Sequence, residues 1–203
     1  FSKYGLRFLT TSAWNPVTDE YGAFAAIYGT LITSIFSILI TIPLGVGTAI
    51  FITEDFVPKA AREVIGFFVE LLAAIPSVVL GIWAIFVMEP FFRGFFEFLH
   101  IRFGWIPLFS SEPTGRNSLL AIFILVVMLL PIVTSISRDT LNQVPQKLRN
   151  ASYGIGASRW KTIFSVILPA ALSGIMAGVL LGLGRALGET MAVTMIIGNS
   201  NSF

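Results

Sequence analysis

Apolar residues fall into four long blocks, 27–51, 64–88, 118–136 and 166–197, and the segments between them hold most of the charge. A helix that crosses a bilayer needs about 20 predominantly apolar residues, so each block is read as one span. The pattern predicts an all-α, polytopic membrane protein. Residues 1–26 form an external or interfacial segment in which Tyr4, Trp14 and Tyr21 suit a membrane boundary. Segment 53–63 is a short polar loop. Segment 89–117 is a longer one, rich in Phe and holding Trp105, expected to include an amphipathic stretch lying on the membrane. Segment 137–162 is polar and basic, and 198–203 is an external end. Pro43 should weaken or kink the first span. The chain begins with Phe1 rather than Met and is expected to be part of a longer protein.

The last block breaks the apolar rule in an informative way. Within Gly182-Leu-Gly-Arg-Ala-Leu-Gly-Glu-Thr190 lie Arg185 and Glu189. An ionised side chain at the bilayer centre costs roughly 2.5–3.5 kcal/mol on insertion scales, so such groups face protein or water. In a continuous helix, residues four apart share a face and can pair. At about 100° per residue, with Gly174 as zero, Gly178 falls near 40° and Gly182 near 80°. Arg185 and Glu189 fall near 20° and 60° on the same wheel. The charges therefore extend a Gly174, Gly178, Gly182 seam, a small-xxx-small pattern that lets helices approach closely. Two readings stay open: a site on a polar path, or an ion pair that fastens helices. Glu70, inside the second block, is open in the same way between an interfacial carboxylate and a group near such a path.

Composition agrees with the pattern. Of 203 residues 55% are hydrophobic and 12% charged, with a mean hydropathy of +0.85. Those values exclude an ordinary soluble domain. A net charge of +2 is too small to suggest nucleic acid, and there is no Cys for a disulfide or thiolate metal site. The lone His100 has no companion ligand. Spans alternate in direction, so 53–63 and 137–162 share one side. That side carries Lys59, Arg62, Arg138, Lys147, Arg149, Arg159 and Lys161 in short loops. The positive-inside rule places it in the cytoplasm.

The 137–162 loop reads as two short helices around a glycine turn. Pro145 is placed like a first-turn proline. Val144, Leu148 and Ala151 make one apolar stripe, and Ala157, Trp160 and Phe164 a second, with Gly154 and Gly156 between them. A basic, amphipathic segment hinged on glycine suits docking into a groove on a soluble partner. The same residues would also serve a loop resting on lipid headgroups.

The run Asn150-Ala-Ser-Tyr-Gly-Ile-Gly-Ala-Ser-Arg-Trp-Lys-Thr-Ile-Phe-Ser-Val-Ile-Leu-Pro169 resembles the EAA loop of the type I ABC importer permeases. Gly156 matches the family's glycine, and the ending at Pro169 fits. Asn150 stands where that family usually has Glu, and Ser173 where a second Pro is common. The run Arg185-Ala-Leu-Gly-Glu-Thr-Met-Ala-Val193, with Ile75-Pro-Ser-Val-Val79, is similar to the PstC-type phosphate permeases within that family. The resemblance covers nearly the whole chain and implies a MetI-like transmembrane fold. It implies a further helix before Phe1 and another after Phe203.

It also implies a transport subunit rather than an enzyme, working with several partners. These are a PstA-like permease subunit, an ATP-binding subunit dimer and an external phosphate-binding protein. ATP would be used by the partner, with no cofactor bound by this chain. Asn150, Ala151, Gly154, Gly156, Ala157, Arg159, Trp160 and Pro169 would belong to the ATPase-coupling loop. Arg185 and Glu189 would lie on the path of inorganic phosphate; Glu70 is kept as a candidate there from its position in the second block, not from the resemblance. Permeases for sulfate or molybdate, and an ATP-independent channel or scaffold, remain alternatives. Gly154 to Thr162 is not a phosphate-binding P-loop, because Trp160 stands where that motif needs Gly and no strand precedes it. Gly182 to Gly188 imitates a dinucleotide fingerprint with one residue too many.

Overall fold

In the computed structural model, residues 7–12, 14–15, 20–54, 56–103, 105 and 118–197 are described. The expected external end 198–203, all of 106–117 and residues 1–6 lie outside them. A short helix α1 (Arg7–Thr10) is followed by a two-residue antiparallel pair, β1 (Trp14–Asn15) with β2 (Glu20–Tyr21). Then come helices α2 (Phe24–Thr53), α3 (Lys59–Ala74), α4 (Ser77–Trp83) and α5 (Glu89–Phe103). They are followed by α6 (Ser118–Gln143), α7 (Gln146–Gly154), α8 (Arg159–Thr162), α9 (Leu168–Gly188) and α10 (Met191–Ile197). Four helical runs are long and apolar enough to cross a membrane: Phe24–Thr53, Ser77–Phe95, Ser118–Gln143 and Arg159–Gly188.

The boundaries differ from the sequence reading for reasons of backbone chemistry. The block 64–88 is divided at Ile75 and Pro76. The residue before a proline is pushed out of the α region, and Ile75 has φ −74° and ψ 126°. The helix that resumes at Ser77 runs past Met88 to Phe103, so 89–103, with His100, is helical rather than a loop. Likewise α6 continues to Gln143, which puts Arg138 on a helix.

Two π-turns, Ala84–Met88 and Ile163–Ile167, join α4 to α5 and α8 to α9. Each is followed, one residue on, by a proline: Glu89 then Pro90, and Leu168 then Pro169. A proline ring clashes with the carbonyl four residues back and donates no hydrogen bond. The wider turn lets the preceding N–H reach five residues back, Glu89 to the Ala84 carbonyl and Leu168 to that of Ile163. The helix thus passes a proline without a break.

The chain forms two compact units. One comprises the described parts of Phe1–Phe36, Ser77–Leu125 and Leu187–Phe203. In it α10 lies along α4, where a Cβ at Gly81 would stand 3.2 Å from the Ala192 Cα. Phe92 packs on Phe123 with ring centres 5.4 Å apart.

The other unit comprises Ser37–Pro76 and Val126–Ala186. Its centre is an antiparallel contact of α6 with α9, made by the glycine seam. Gly174 faces Thr140 with no space for a methyl group, and a Cβ at Gly178 would lie 3.0 Å from Ile136. A Cβ at Gly182 would lie 3.2 Å from both Val133 and Ile38 of α2. Ile38, Leu129, Val133, Val179 and Ala186 form one buried cluster of this unit. Ala49, Leu141, Val144, Ile163, Ile167, Ala171 and Ile175 form another. Large apolar residues such as Leu39, Phe86 and Leu180 stay exposed, which suits helices whose solvent is lipid.

The α6–α9 contact gives a contrast between neighbouring glycines. Gly174→Val should overpack the seam and destabilise the protein by about 1–3 kcal/mol. Gly184→Ala, whose Cβ would meet nothing within 4 Å, should leave stability unchanged or slightly raised. Thermal unfolding of the two variants in detergent, followed by monodisperse elution, measures the difference.

Candidate functional site

The segment from α7 to α8 is built from caps. Pro145 opens α7 from the extended region, at φ −58° and ψ 134°. At the other end Gly156 has φ +81°, the left-handed conformation that glycine adopts at no steric cost. Its N–H donates to the Tyr153 carbonyl at 2.9 Å, and the Ala157 N–H donates to that of Ser152 at 3.1 Å. These two bonds are a Schellman motif, which satisfies carbonyls that the helix end leaves free. Ser158 then caps α8 by accepting the Lys161 N–H.

The motif turns Ile155 outward, where it is 87% exposed. Leu148 and Tyr153 on α7 are exposed too, as are Trp160 and Phe164 beyond the turn. Trp160 stacks between Phe56 at 5.0 Å and Phe164 at 6.0 Å, and the Arg159 guanidinium lies over the Phe56 ring. Asn150 and Ala151 are exposed on α7, and the Asn150 Oδ1 accepts from Gln146. Gly154, the last residue of α7, stands in open space. Pro169 follows the second π-turn after Leu168.

The inner side of α7 is polar, and sequence reasoning missed it. Arg149 is 9% exposed. Its Nη1 pairs with the Glu54 carboxylate just past the end of α2, while its Nη2 donates to the Leu141 carbonyl at 2.9 Å. The buried hydroxyls of Ser152 and Thr162 lie 2.8 Å apart and join α7 to α8. One signal was available: on a helical wheel Arg149 falls about 130° from the apolar stripe of Val144, Leu148 and Ala151.

Arg185 and Glu189 fall in different units, and the helix expected to carry both does not continue from one to the other. The block 166–197 is not one helix: α9 ends at Gly188, and Glu189 and Thr190 are not helical before α10 begins. The four-residue spacing therefore no longer sets a shared face. Glu189 instead accepts the Ala192 N–H at 3.3 Å and caps α10. Arg185 is exposed in the last turn of α9, where a cation complements the helix dipole.

Glu70 is not brought to Arg185 either. Its carboxylate pairs with Arg138 of α6 at 3.3 Å, and Arg138 also reaches Asp139. Ile52, Arg62, Glu63, Gly66 and Phe67 complete an open groove of about 350 Å³ around this pair. Arg138 lies between Ile136 and Thr140, hence level with Gly174–Gly178 on α9. At 1.5 Å per residue, Arg185 is roughly 10 Å or more further along the axis.

The family "Binding-protein-dependent transport system inner membrane component" matches residues 41–202. The chain is 49% identical to a protein of Mesorhizobium japonicum named phosphate transport system permease protein PstC, over 98% of this chain and 62% of that one. It is 42% identical to the protein of the same name from Pasteurella multocida, over 98% and 64%. It is 41% identical to a probable ABC transporter permease, YqgH, of Bacillus subtilis, over 96% and 59%. The chain thus spans about three fifths of the length of these curated relatives. Among solved structures, an inward-facing MetNI methionine ABC transporter covers 82% of this chain and 68% of its own, with a TM-score of 0.59 at 23% identity. That likeness concerns the fold. The family match takes in the glycine seam, both π-turns and the whole α7–α8 segment, and on it the chain belongs to the inner membrane components of binding-protein-dependent transport systems.

Proposed function

We propose that this chain is the core of a permease subunit in an ATP-driven importer of inorganic phosphate. The observation that carries the reading is the outward-turned α7–α8 segment. Its Schellman turn directs Ile155 outward, and Leu148, seven residues earlier, is the other exposed large aliphatic residue of this otherwise polar segment. Such residues suit a groove on a soluble ATPase subunit, where a few central apolar anchors supply most of the binding energy. Its placement on the cytoplasmic side follows from the positive-inside rule. ATP is hydrolysed by that partner dimer, and this chain transmits the motion. The relatives named for phosphate transport support the choice of substrate. The remaining partners are a PstA-like permease subunit and an external phosphate-binding protein, in the cytoplasmic membrane of a bacterium or archaeon.

Arg185 is the residue assigned to the anion. It stands at the end of α9 opposite to the α7–α8 segment, hence toward the outer face when that segment is cytoplasmic. A guanidinium offers a planar fork of donors that matches phosphate oxygens, and its exposure in this chain leaves those donors accessible. Glu189, whose carboxylate accepts the Ala192 N–H, is assigned to the phosphate path on the sequence resemblance alone.

Two outcomes test this. In proteoliposomes holding the full-length protein and its proposed partners, Arg185→Gln should cut ATP-dependent uptake of labelled phosphate by roughly tenfold or more, the worth of one charged hydrogen bond of about 1.5–3 kcal/mol. Sulfate and molybdate should not compete. Uptake unchanged by the substitution would reduce Arg185 to a partner of the helix dipole. Ile155→Asp should weaken co-purification of the ATPase subunits by roughly tenfold or more, as loss of a central anchor does. The residue is exposed, so the fold should be retained.

A further inference from the structure

The base of α7 holds more polar chemistry than its fold requires. Arg149 reaches two acceptors at once: the Glu54 carboxylate, 95 residues away in sequence at the end of α2, and the Leu141 carbonyl near the end of α6. Ser152 adds a third tie, to Thr162 at the start of the run that becomes α9. Three long helices are therefore fastened to one short one by directional bonds. Stability alone is a weak reason for such a pair, since a buried ion pair is often no better than apolar residues of the same volume. Direction is the better reason. A guanidinium fork bonded to two acceptors fixes the rotation and tilt of α7, which apolar contacts allow to slide. The Glu54 and Arg149 side chains are each 11% exposed, so the pair is little screened by solvent.

We infer that the Glu54–Arg149 pair is a transmission strut, through which displacement of α7 by the ATPase is passed to α2 and α6. Both are positioning residues: they touch neither phosphate nor ATP. The inference rests on the proposed function above and deepens it by naming where the docking segment is joined to the spans. Glu54→Gln keeps the size of the side chain and its acceptor oxygen but removes the charge that holds the fork. Arg149→Lys keeps the charge but replaces the fork by a single ammonium group, which cannot hold both acceptors in one geometry.

The experiment measures ATP hydrolysis and labelled phosphate uptake on the same proteoliposomes, for the wild-type complex and both variants, with co-elution of the ATPase subunits as a check on assembly. The expected result is normal co-elution, hydrolysis within about twofold of wild type, and phosphate taken up per ATP lowered roughly fivefold or more, within the range by which coupling residues act. A purely structural role would not move that ratio. An unchanged ratio in both variants, or loss of hydrolysis, uptake and co-elution in parallel, would overturn the strut. A wild-type complex that hydrolyses ATP yet takes up no phosphate would overturn the transport reading itself, and this inference with it.

Discussion

Hydrocarbon offers no hydrogen bonds, and much of this structure follows from that single constraint. A backbone group left unpaired at membrane depth costs several kcal/mol, which helices avoid by bonding within themselves. Prolines threaten the arrangement; Pro43 and Pro131 are carried inside α2 and α6, and three others are answered in a local way. Before Pro90 and Pro169 the helix widens into a π-turn, so that the last N–H reaches one carbonyl further back. At Pro76 the helix ends and restarts. Hydroxyls on α2 return their bonds to the helix, with Thr33, Thr41 and Thr48 donating to carbonyls four residues earlier. Polar side chains are thereby carried into an apolar setting without an external partner.

The same constraint governs charge. Several ion pairs join the ends or polar faces of helices, among them Glu54 with Arg149, Glu70 with Arg138, and Arg93 with Glu97. Arg185 and Glu189 obey it individually. One sits in the last turn of α9 and the other caps α10, so each meets the end of the helix dipole that its sign favours. That local accommodation explains how two charges survive here. It does not compete with a transport role, since an arginine stabilised by a helix end still has donors to offer.

Close packing of α6 on α9 gives the second unit its stiffness. Gly174, Gly178 and Gly182 bring α9 against Thr140, Ile136 and Val133 along about 12 Å of helix. The α7–α8 segment is attached to the same unit through Arg149, Ser152 and the buried cluster of Val144, Ile163 and Ile167. A soluble partner bound to Ile155 and Leu148 would thus pull on packed helices rather than on a loose loop.

Much of this was legible in the residues themselves. Three of the four apolar blocks lie largely within helices long and apolar enough to cross a membrane, because length and hydrophobicity are local properties. The block 64–88 is cut at Ile75 and Pro76, and the corresponding helix, Ser77–Phe95, keeps only its later half. Gly156 marks a turn because a left-handed backbone needs no knowledge of the rest of the fold. The glycine seam was visible because a helical period repeats at short range. Tertiary structure alone decided the rest. No spacing rule links Glu54 to Arg149 across 95 residues, or Glu70 to Arg138 across 68. The end of α9 at Gly188 was also hidden, because Glu189 and Thr190 continue an apolar helical pattern and only the capping bond to Ala192 shows that a new helix has begun. Periodicity reports which face a residue occupies while the helix lasts. Where the helix stops, and which distant charge a buried arginine meets, is settled by packing.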